Sequence, residues 1–203
     1  MIILGTLNGS IWEHHARPFQ QRGEAALGSQ VAPLRSRQFP LGLPGLSSID
    51  QSKVTIGNKL LQVSVTIVRF CVAHNIPVTL ENPMRSRLWW TPQMLRALRS
   101  LHGRKIPVDY CAYGTDWQKP TVFAVWGSDI FSDLERRCHR RNGLCQFTGK
   151  PHRRLEGTAP GGRNWTAVAE PYPKQLAKQF ASLASQHVGF HNLCLLSSVT
   201  KAC

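Results

Sequence analysis

The spacing of hydrophobic residues in the first third of the chain predicts a short strand followed by a long helix. The opening run MIILGT is apolar enough for a buried strand. Residues 8–47 are rich in Gly, Pro, Arg and Gln and are typical of a long loop. From Ile49 to His74, apolar residues recur every three or four positions, which predicts a helix capped by Ser47 or Ser48.

A second strand and a second helix follow. The run IPVTLE predicts a buried strand that ends at Glu81, because Pro83 cannot continue a simple ladder of hydrogen bonds. Thr91 followed by Pro92 predicts the start of a helix that Gly103 ends. The predicted apolar face of this helix consists of Met94, Leu95, Leu98 and Leu101.

Two further strand candidates, KIPVDYCAYG and PTVFAVWG, are separated only by TDWQK, and so short a connection predicts an antiparallel pair. The order strand, helix, strand, helix and closing hairpin predicts an open α/β sheet with an antiparallel edge. Sites in such sheets lie beyond the carboxyl ends of the parallel strands. This rule makes Glu81 a candidate site residue.

The chain of 203 residues is long enough for one core, and the pattern divides it into three segments. Residues 1–47 are predicted to be a short strand and a long loop. Residues 48–187 form the α/β domain, with a short helix in 128–137 and a final helix before an irregular tail at 188–203. The apolar face of the final helix carries Leu176, Phe180 and Leu183.

The formal net charge of +14, from 25 Lys and Arg against 11 Asp and Glu, favours a polyanionic partner, and nucleic acid is the first candidate. A basic protein that is merely soluble is the alternative. We find no long basic amphipathic helix, no apolar run of membrane-spanning length and no secretory signal. The expectation is therefore an intracellular protein, nuclear in a eukaryote, with no membrane partner and reduced cysteines; the oligomeric state is left open.

The segment RSRLWW has two interpretations. Tryptophan most often anchors a core or an interface, because the indole buries a large area. Alternatively, Arg85 and Arg87 contact phosphate while Trp89 or Trp90 stacks on a base. Both hold if one indole is buried and the other is exposed.

The segment CHRRNGLCQFTGKPH places Cys138, Cys145 and His152 at equal intervals, with His139 as a possible fourth ligand. Cysteine and histidine suit zinc, and a small basic loop with little apolar content gains rigidity from a metal. The alternative is a loop with reduced cysteines and surface histidines.

Residues 136–154 also contain seven basic side chains and no acid. Contact with phosphate is the simplest physical explanation, and a solvated face is the alternative. The basic side chains are Arg136, Arg137, Arg140, Arg141, Lys150, Arg153 and Arg154.

The motif LENP, followed by DYCAYGTDWQKPTVFAVW, resembles the second half of the catalytic domain of DNA cytosine-5 methyltransferases. The likeness is closer to methyltransferase-like domains encoded in mobile elements and in some protist genomes, and it covers roughly residues 1 to 180. This resemblance implies a partial class I methyltransferase-like, or Rossmann-like, open sheet. It also implies S-adenosylmethionine as cofactor and DNA, rather than RNA, as partner.

The resemblance further implies roles for single residues. Glu81 would hold a flipped base and help to protonate its ring, Asn82 would orient the loop, and Lys119 would match a basic position of the hairpin turn. Leu7 and Asn8, however, stand where the family has the Pro-Cys loop that carries its nucleophile, and the Gly-rich cofactor strand is missing. The first departure leaves covalent attack on a cytosine ring without its nucleophile, and the second counts against S-adenosylmethionine binding.

We therefore predict a methyltransferase-like protein that binds nucleic acid and whose catalysis is impaired. An active S-adenosylmethionine-dependent fragment is one alternative. A non-enzymatic accessory protein of a mobile element, stabilised by zinc and binding nucleic acid, is the other.

Overall fold

The computed structural model describes the backbone of residues 2–4 and 33–199, and the side chains of residues 33–186. The predicted first strand is present as β1, Ile2–Leu4. The predicted long loop is described only from residue 33 onward, where it contains turns and bends. Leu7 and Asn8 lie outside the described residues.

The predicted long helix is confirmed as α1, Ser48–Ala73. Its N-cap is Ser47, whose hydroxyl oxygen accepts a hydrogen bond from the backbone N–H of Asp50 at 3.2 Å. The cap satisfies one of the donors that a helix start leaves free. The buried face of α1 contains Val54, Gly57, Leu61, Ser64, Val65, Val68 and Cys71.

By length and composition α1 is also long and apolar enough to cross a membrane, contrary to the expectation that the chain has no such run. Apolar residues lie on both its buried and its exposed sides, where Ile56 and Val63 are more than half exposed. The core helices of soluble proteins meet the same criterion, so this property is a weak indication of a membrane partner.

The second strand, β2, runs Val78–Pro83 and thus extends past Glu81. The prediction that Pro83 stops the ladder is wrong, because Pro83 is paired with Thr121. A proline without an N–H is tolerated there, since the neighbour on the other side, β1, pairs only with the first three residues of β2. The helix α2, Pro92–Ser100, confirms the predicted start, and Thr91 is its N-cap.

The predicted hairpin is confirmed as β3, Arg104–Asp109, and β4, Pro120–Trp126, which pair in antiparallel orientation. The second half of the first predicted strand is instead a 3-10 helix, Tyr110–Tyr113, ended by Gly114 with φ of 86°. A left-handed residue is favourable for glycine, which has no Cβ to clash.

The four strands form one open sheet in the order β1-β2-β4-β3. Only β1 and β2 are parallel, and the other two pairs are antiparallel. The fold is therefore mixed α/β with a small open sheet. The Rossmann-like arrangement of a class I methyltransferase stays a prediction.

Helices cover both faces of the sheet. On one face α1 and α2 pack on side chains of β2 and β4, with Trp126 at the centre of this core. On the other face lie a 3-10 helix, Ile130–Leu134, and the last helix, which is numbered α4 because a short helix α3, Trp165–Val168, precedes it.

The last helix, α4, runs Lys174–Val199 and buries the predicted face. The buried residues are Leu176, Phe180 and Leu183. The prediction of an irregular tail at 188–203 is corrected up to Val199, since the backbone stays helical to that residue. Its apolar residues lack a clear period, which is why the pattern did not reveal the helix.

Candidate metal centre and nucleic-acid interface

Four side chains bring their ligand atoms together below the end of β3. The sulfurs of Cys111, Cys138 and Cys145 and a ring nitrogen of His152 all lie within 4.8 Å of one another. The three cysteines are buried and His152 is half-buried. Two buried thiols and an imidazole were predicted to come together here, and the structure adds a third thiol.

Two separations within this group are close to the edges of a tetrahedron around zinc. Zinc bonds of about 2.3 Å to sulfur and about 2.0 Å to nitrogen place two sulfurs about 3.8 Å apart, and a sulfur and a nitrogen about 3.6 Å apart. The Cys138 sulfur lies 3.7 Å from the Cys145 sulfur and 3.7 Å from the His152 Nε2 atom. The Cys138, Cys145 and His152 ligand atoms thus have spacings suited to a tetrahedral metal ion, and Cys111 lies close enough to supply the fourth ligand.

Cys111 is the ligand that sequence reasoning missed. It lies in the 3-10 helix directly after β3, far from the other three in sequence, and the fold alone brings it to them. His139, predicted as a possible fourth ligand, is exposed and is not part of the group. A cysteine directly after a strand is held at the edge of the sheet. The run DYC was therefore a usable sequence signal for Cys111 as a metal ligand.

Two tight turns shape the loop that carries Cys145. Asn142 and Gly143 both have positive φ, 50° and 78°, and the N–H groups of Arg141 and Leu144 bond each other's carbonyl oxygens. This is the geometry of an Asn-Gly hairpin turn of type I′. In the next turn, the N–H of Gly149 donates to the carbonyl oxygen of Cys145 at 2.8 Å.

The surroundings shift the pKa values of the three thiols in different directions. Burial raises the pKa of the Cys111 thiol, and the neighbouring cysteines raise it further. Burial also raises the pKa of Cys138. For Cys145 burial acts upward as well, but hydrogen bonds from Thr148 and the backbone of Phe147 outweigh it and lower its pKa to about 6. Cys145 is thus prepared to be a thiolate, and a bound cation would favour the thiolate at the other two.

Asp109 connects residues 136–154, here called the metal loop, to the sheet. This last residue of β3 is fully buried, and its Oδ2 atom accepts hydrogen bonds from the Cys138 backbone N–H at 2.7 Å and the Arg137 Nε–H at 3.1 Å. Its own backbone N–H donates to the carbonyl oxygen of Arg136 at 2.8 Å. Asp109 has a role that no sequence motif predicts. It fixes the loop at the point where Cys138 enters the cluster.

The basic side chains of the metal loop surround this centre on the outside. Within the described residues Arg137 alone among them forms an ion pair, with Asp109. Arg140 donates to the side-chain oxygen of Gln118 at 2.8 Å, and Arg136 lies over the ring of Tyr113. The others are exposed, namely Arg141, Lys150, Arg153 and Arg154.

The structure separates the two tryptophans of RSRLWW. Trp89 is only 3% exposed, and its indole N–H donates to the carbonyl oxygen of Pro83, so its ring cannot stack on a base. The assignment of Trp89 to nucleic-acid binding is corrected for this reason. Trp90 is 40% exposed with the Arg87 guanidinium 4.7 Å from its ring centre, and Arg85 is exposed beside them.

Lys119 has an internal role. Its ammonium donates to the carbonyl oxygen of Ala169 at 2.6 Å and lies 5.0 Å from the centre of the Tyr110 ring. These contacts connect the hairpin turn to the segment before α4. The predicted phosphate contact by Lys119 would have to compete with them.

Glu81 and Asn82 point to opposite faces of the sheet, as neighbours in a strand must. Glu81 is opposite Phe123 on the α4 side, where the Tyr172 hydroxyl donates to its carboxylate at 3.4 Å. Burial and the Glu81 charge both raise the pKa of Tyr172, so its hydroxyl stays protonated at neutral pH. Asn82 is opposite Val122 on the α1 side, and its buried amide has no hydrogen-bond partner among the described residues.

A cavity of about 440 Å³ lies between β4 and α4, on the same side of the sheet as Glu81 and Tyr172. The rings of Phe123 and Tyr172 line it together with apolar side chains of α4. Among the described cysteines, Cys71 lies in the core on the opposite face of the sheet, and the other three belong to the metal cluster. The described part of the chain therefore offers Glu81 no separate thiol as a nucleophile.

No model of a known protein family matches the chain, and neither a curated protein nor a solved structure is found to match it.

Proposed function

We propose that the protein binds nucleic acid, with DNA as the preferred partner, through a basic surface that a structural zinc ion holds in shape. The observation that carries this proposal is the four-ligand group of Cys111, Cys138, Cys145 and His152, three members of which belong to the arginine-rich segment 136–154. The proposal retains the predicted binding function and zinc, and it replaces His139 by Cys111 as the fourth ligand.

The ligand set favours a structural metal over a catalytic one. Three thiolates and one imidazole fill all four positions of a tetrahedral zinc ion, so no position is left for water or substrate. The side chains are buried or half-buried, and Asp109 and the two turns hold their backbone. Zinc here would stabilise a loop that has little apolar content of its own.

The charge of the loop indicates the partner. Of the seven basic residues within residues 136–154, Arg137 alone forms an ion pair within the described part of the chain, with Asp109. Arginine and lysine side chains that are exposed and close together raise the local positive potential, which attracts phosphate groups. The resemblance to DNA methyltransferases supports DNA as the preferred form.

Catalysis is not part of the proposal. Glu81 is buried and does not line the cavity, whereas Tyr172, which donates a hydrogen bond to it, does; the base-holding role of Glu81 stays a prediction. The described residues place no free thiol beside it, and no contact favours S-adenosylmethionine. The methyltransferase ancestry of the chain stays a prediction from the motif LENP.

Salt-dependent binding tests the function. We expect the affinity of the full chain for DNA to fall steeply with salt, because each phosphate contact releases counterions. Replacing Arg140 and Arg141 together by alanine should lower the slope of log K against log salt by about 2. The matched control replaces Arg96 and Arg99, which are exposed on α2, and should leave the slope unchanged.

A salt-independent affinity would contradict the proposal. Equal losses of slope in both double variants would show that binding follows net charge and not the metal loop. Metal analysis of protein purified without chelator should give about one zinc per chain, and a value near zero would remove the zinc ion from the proposal.

A further inference from the structure

The metal loop exposes two large apolar side chains within its basic surface. Phe147 is 45% exposed and Leu144 is 40% exposed, and both follow the Asn-Gly turn that opens the loop. Single exposed apolar residues are common on protein surfaces. Two of them on one short loop, next to Arg141 and Lys150, call for an explanation.

The backbone that carries Phe147 is held rigidly. The turn is closed by the N–H of Gly149, which donates to the carbonyl oxygen of Cys145, a member of the metal cluster, at 2.8 Å. The N–H of Cys145 donates to the carbonyl oxygen of Lys150 at 2.9 Å, and the N–H of Lys150 donates to the Thr148 hydroxyl at 3.4 Å. A ring on such a turn loses little further freedom when a ligand covers it, so binding there costs little entropy.

The chemistry around the ring selects the ligand. An exposed aromatic ring on a segment rich in basic side chains can stack on a flat ring while the cations contact phosphate. In a duplex the faces of the bases are covered by their neighbours, whereas a single strand offers them freely. Leu144 enlarges the exposed apolar area beside the turn, and its side chain is suited to an apolar contact with the edge of a stacked base.

We propose that Phe147 is a stacking platform for an unpaired nucleobase, which makes single-stranded nucleic acid the preferred substrate of the basic surface. This inference rests on the proposed nucleic-acid binding and adds the substrate class. It assigns sequence-tolerant recognition, because every base has a face on which a ring can stack.

Phe147 variants test the platform, with a twelve-nucleotide oligo-dT strand and a duplex of equal length as probes. Phe147→Ala should weaken binding of the strand about tenfold and leave duplex binding within about twofold, because one stacked base contributes roughly 1–3 kcal/mol. Phe147→Trp should keep the affinity of the parent protein for the strand. The strand should also quench the fluorescence that the added tryptophan contributes, measured against the parent protein. Phe70→Ala removes a ring that is 55% exposed on α1 and serves as control.

The Phe147→Ala measurements distinguish failure of the stacking platform from failure of the proposed nucleic-acid binding. Equal losses for strand and duplex in Phe147→Ala, or no loss at all, would overturn the platform while the salt dependence of DNA binding still supports the basic surface. A larger loss for the duplex would indicate a wedge between base pairs and would overturn it too. Zinc content equal to that of the parent protein shows that the variant keeps its loop.

Discussion

The identity of the fourth metal ligand is decided by single residues. Cys111 is 1% exposed within ligand distance of the other three side chains, whereas His139 is exposed and only its backbone N–H is engaged, with the side chain of Gln146. A buried thiol next to two others also carries a high cost of ionisation without a cation. Cys111 is therefore the residue whose removal most directly reports on the metal.

We expect Cys111→Ser to lower the zinc content well below one ion per chain, because a serine hydroxyl is a poor zinc ligand. His139→Ala should keep the full content, since its ring lies outside the cluster. Inductively coupled plasma mass spectrometry on both purified variants measures this. The reverse pattern, with zinc lost only from His139→Ala, would show that the predicted ligand set was right and the observed one wrong.

Individual ligand residues were predictable from the sequence where they are close together in the chain. Cys138, Cys145 and His152 were recognised because their spacing is regular and local. Cys111 was missed because a contact between distant segments leaves no periodic trace. In the same way, which indole of the pair Trp89 and Trp90 is buried depends on the neighbouring strand and helix, and not on their shared local sequence.

At the scale of elements, helix starts were the most predictable feature. A threonine or serine hydroxyl caps the free N–H groups of the first turn, and this interaction is entirely local. Thr91 accepts from the backbone N–H of Met94 at 3.4 Å, and Ser47 accepts from Asp50. Both caps were predicted from the residue types that precede the apolar pattern.

We expect Thr91→Ala to lower the free energy of unfolding by about 1 kcal/mol, because the cap of α2 is lost. The Thr91 hydroxyl also donates to the carbonyl oxygen of Leu88 within a buried site, so the loss should exceed that of Ser47→Ala at the exposed start of α1. Urea denaturation followed by circular dichroism measures both values. A larger effect of Ser47→Ala would contradict this order.

Strand order was less predictable than strand position. The four strands were each anticipated, but the place of β4 between β2 and β3 follows from long-range pairing. The end of β2 likewise depends on its pairing with β4, which continues to Pro83. The final helix was extended by the structure because backbone hydrogen bonds continue where the apolar period fades.

The whole molecule combines a well-packed sheet with a basic loop that has few apolar contacts. The sheet core contains large buried side chains such as Trp126 and Phe131, whereas the loop core consists of Cys111, Cys138 and Cys145. Three thiols bury little apolar area, so the hydrophobic effect alone stabilises the loop weakly. Its order is expected to depend on the metal.

We expect removal of zinc by a chelator to unfold the loop at 136–154 and leave the sheet folded. Hydrogen exchange should accelerate at amides of the loop and stay slow in β2 and β4, because only the loop depends on metal bonds. DNA affinity should fall in the same titration and return when zinc is added back. Exchange that accelerates equally in loop and sheet would show that the metal supports the whole fold.

The sequence by itself determined α1 and α2 with their N-caps, the antiparallel hairpin and the basic, cysteine-bearing loop, because each depends on periodicity, turn chemistry or charge within a short segment. The tertiary structure decided the strand order, which face of the sheet Glu81 takes, the burial of Trp89 and the addition of Cys111 to the metal cluster. These features depend on contacts between residues far apart in the chain. Such contacts arise from packing and chain pairing, which no local pattern encodes.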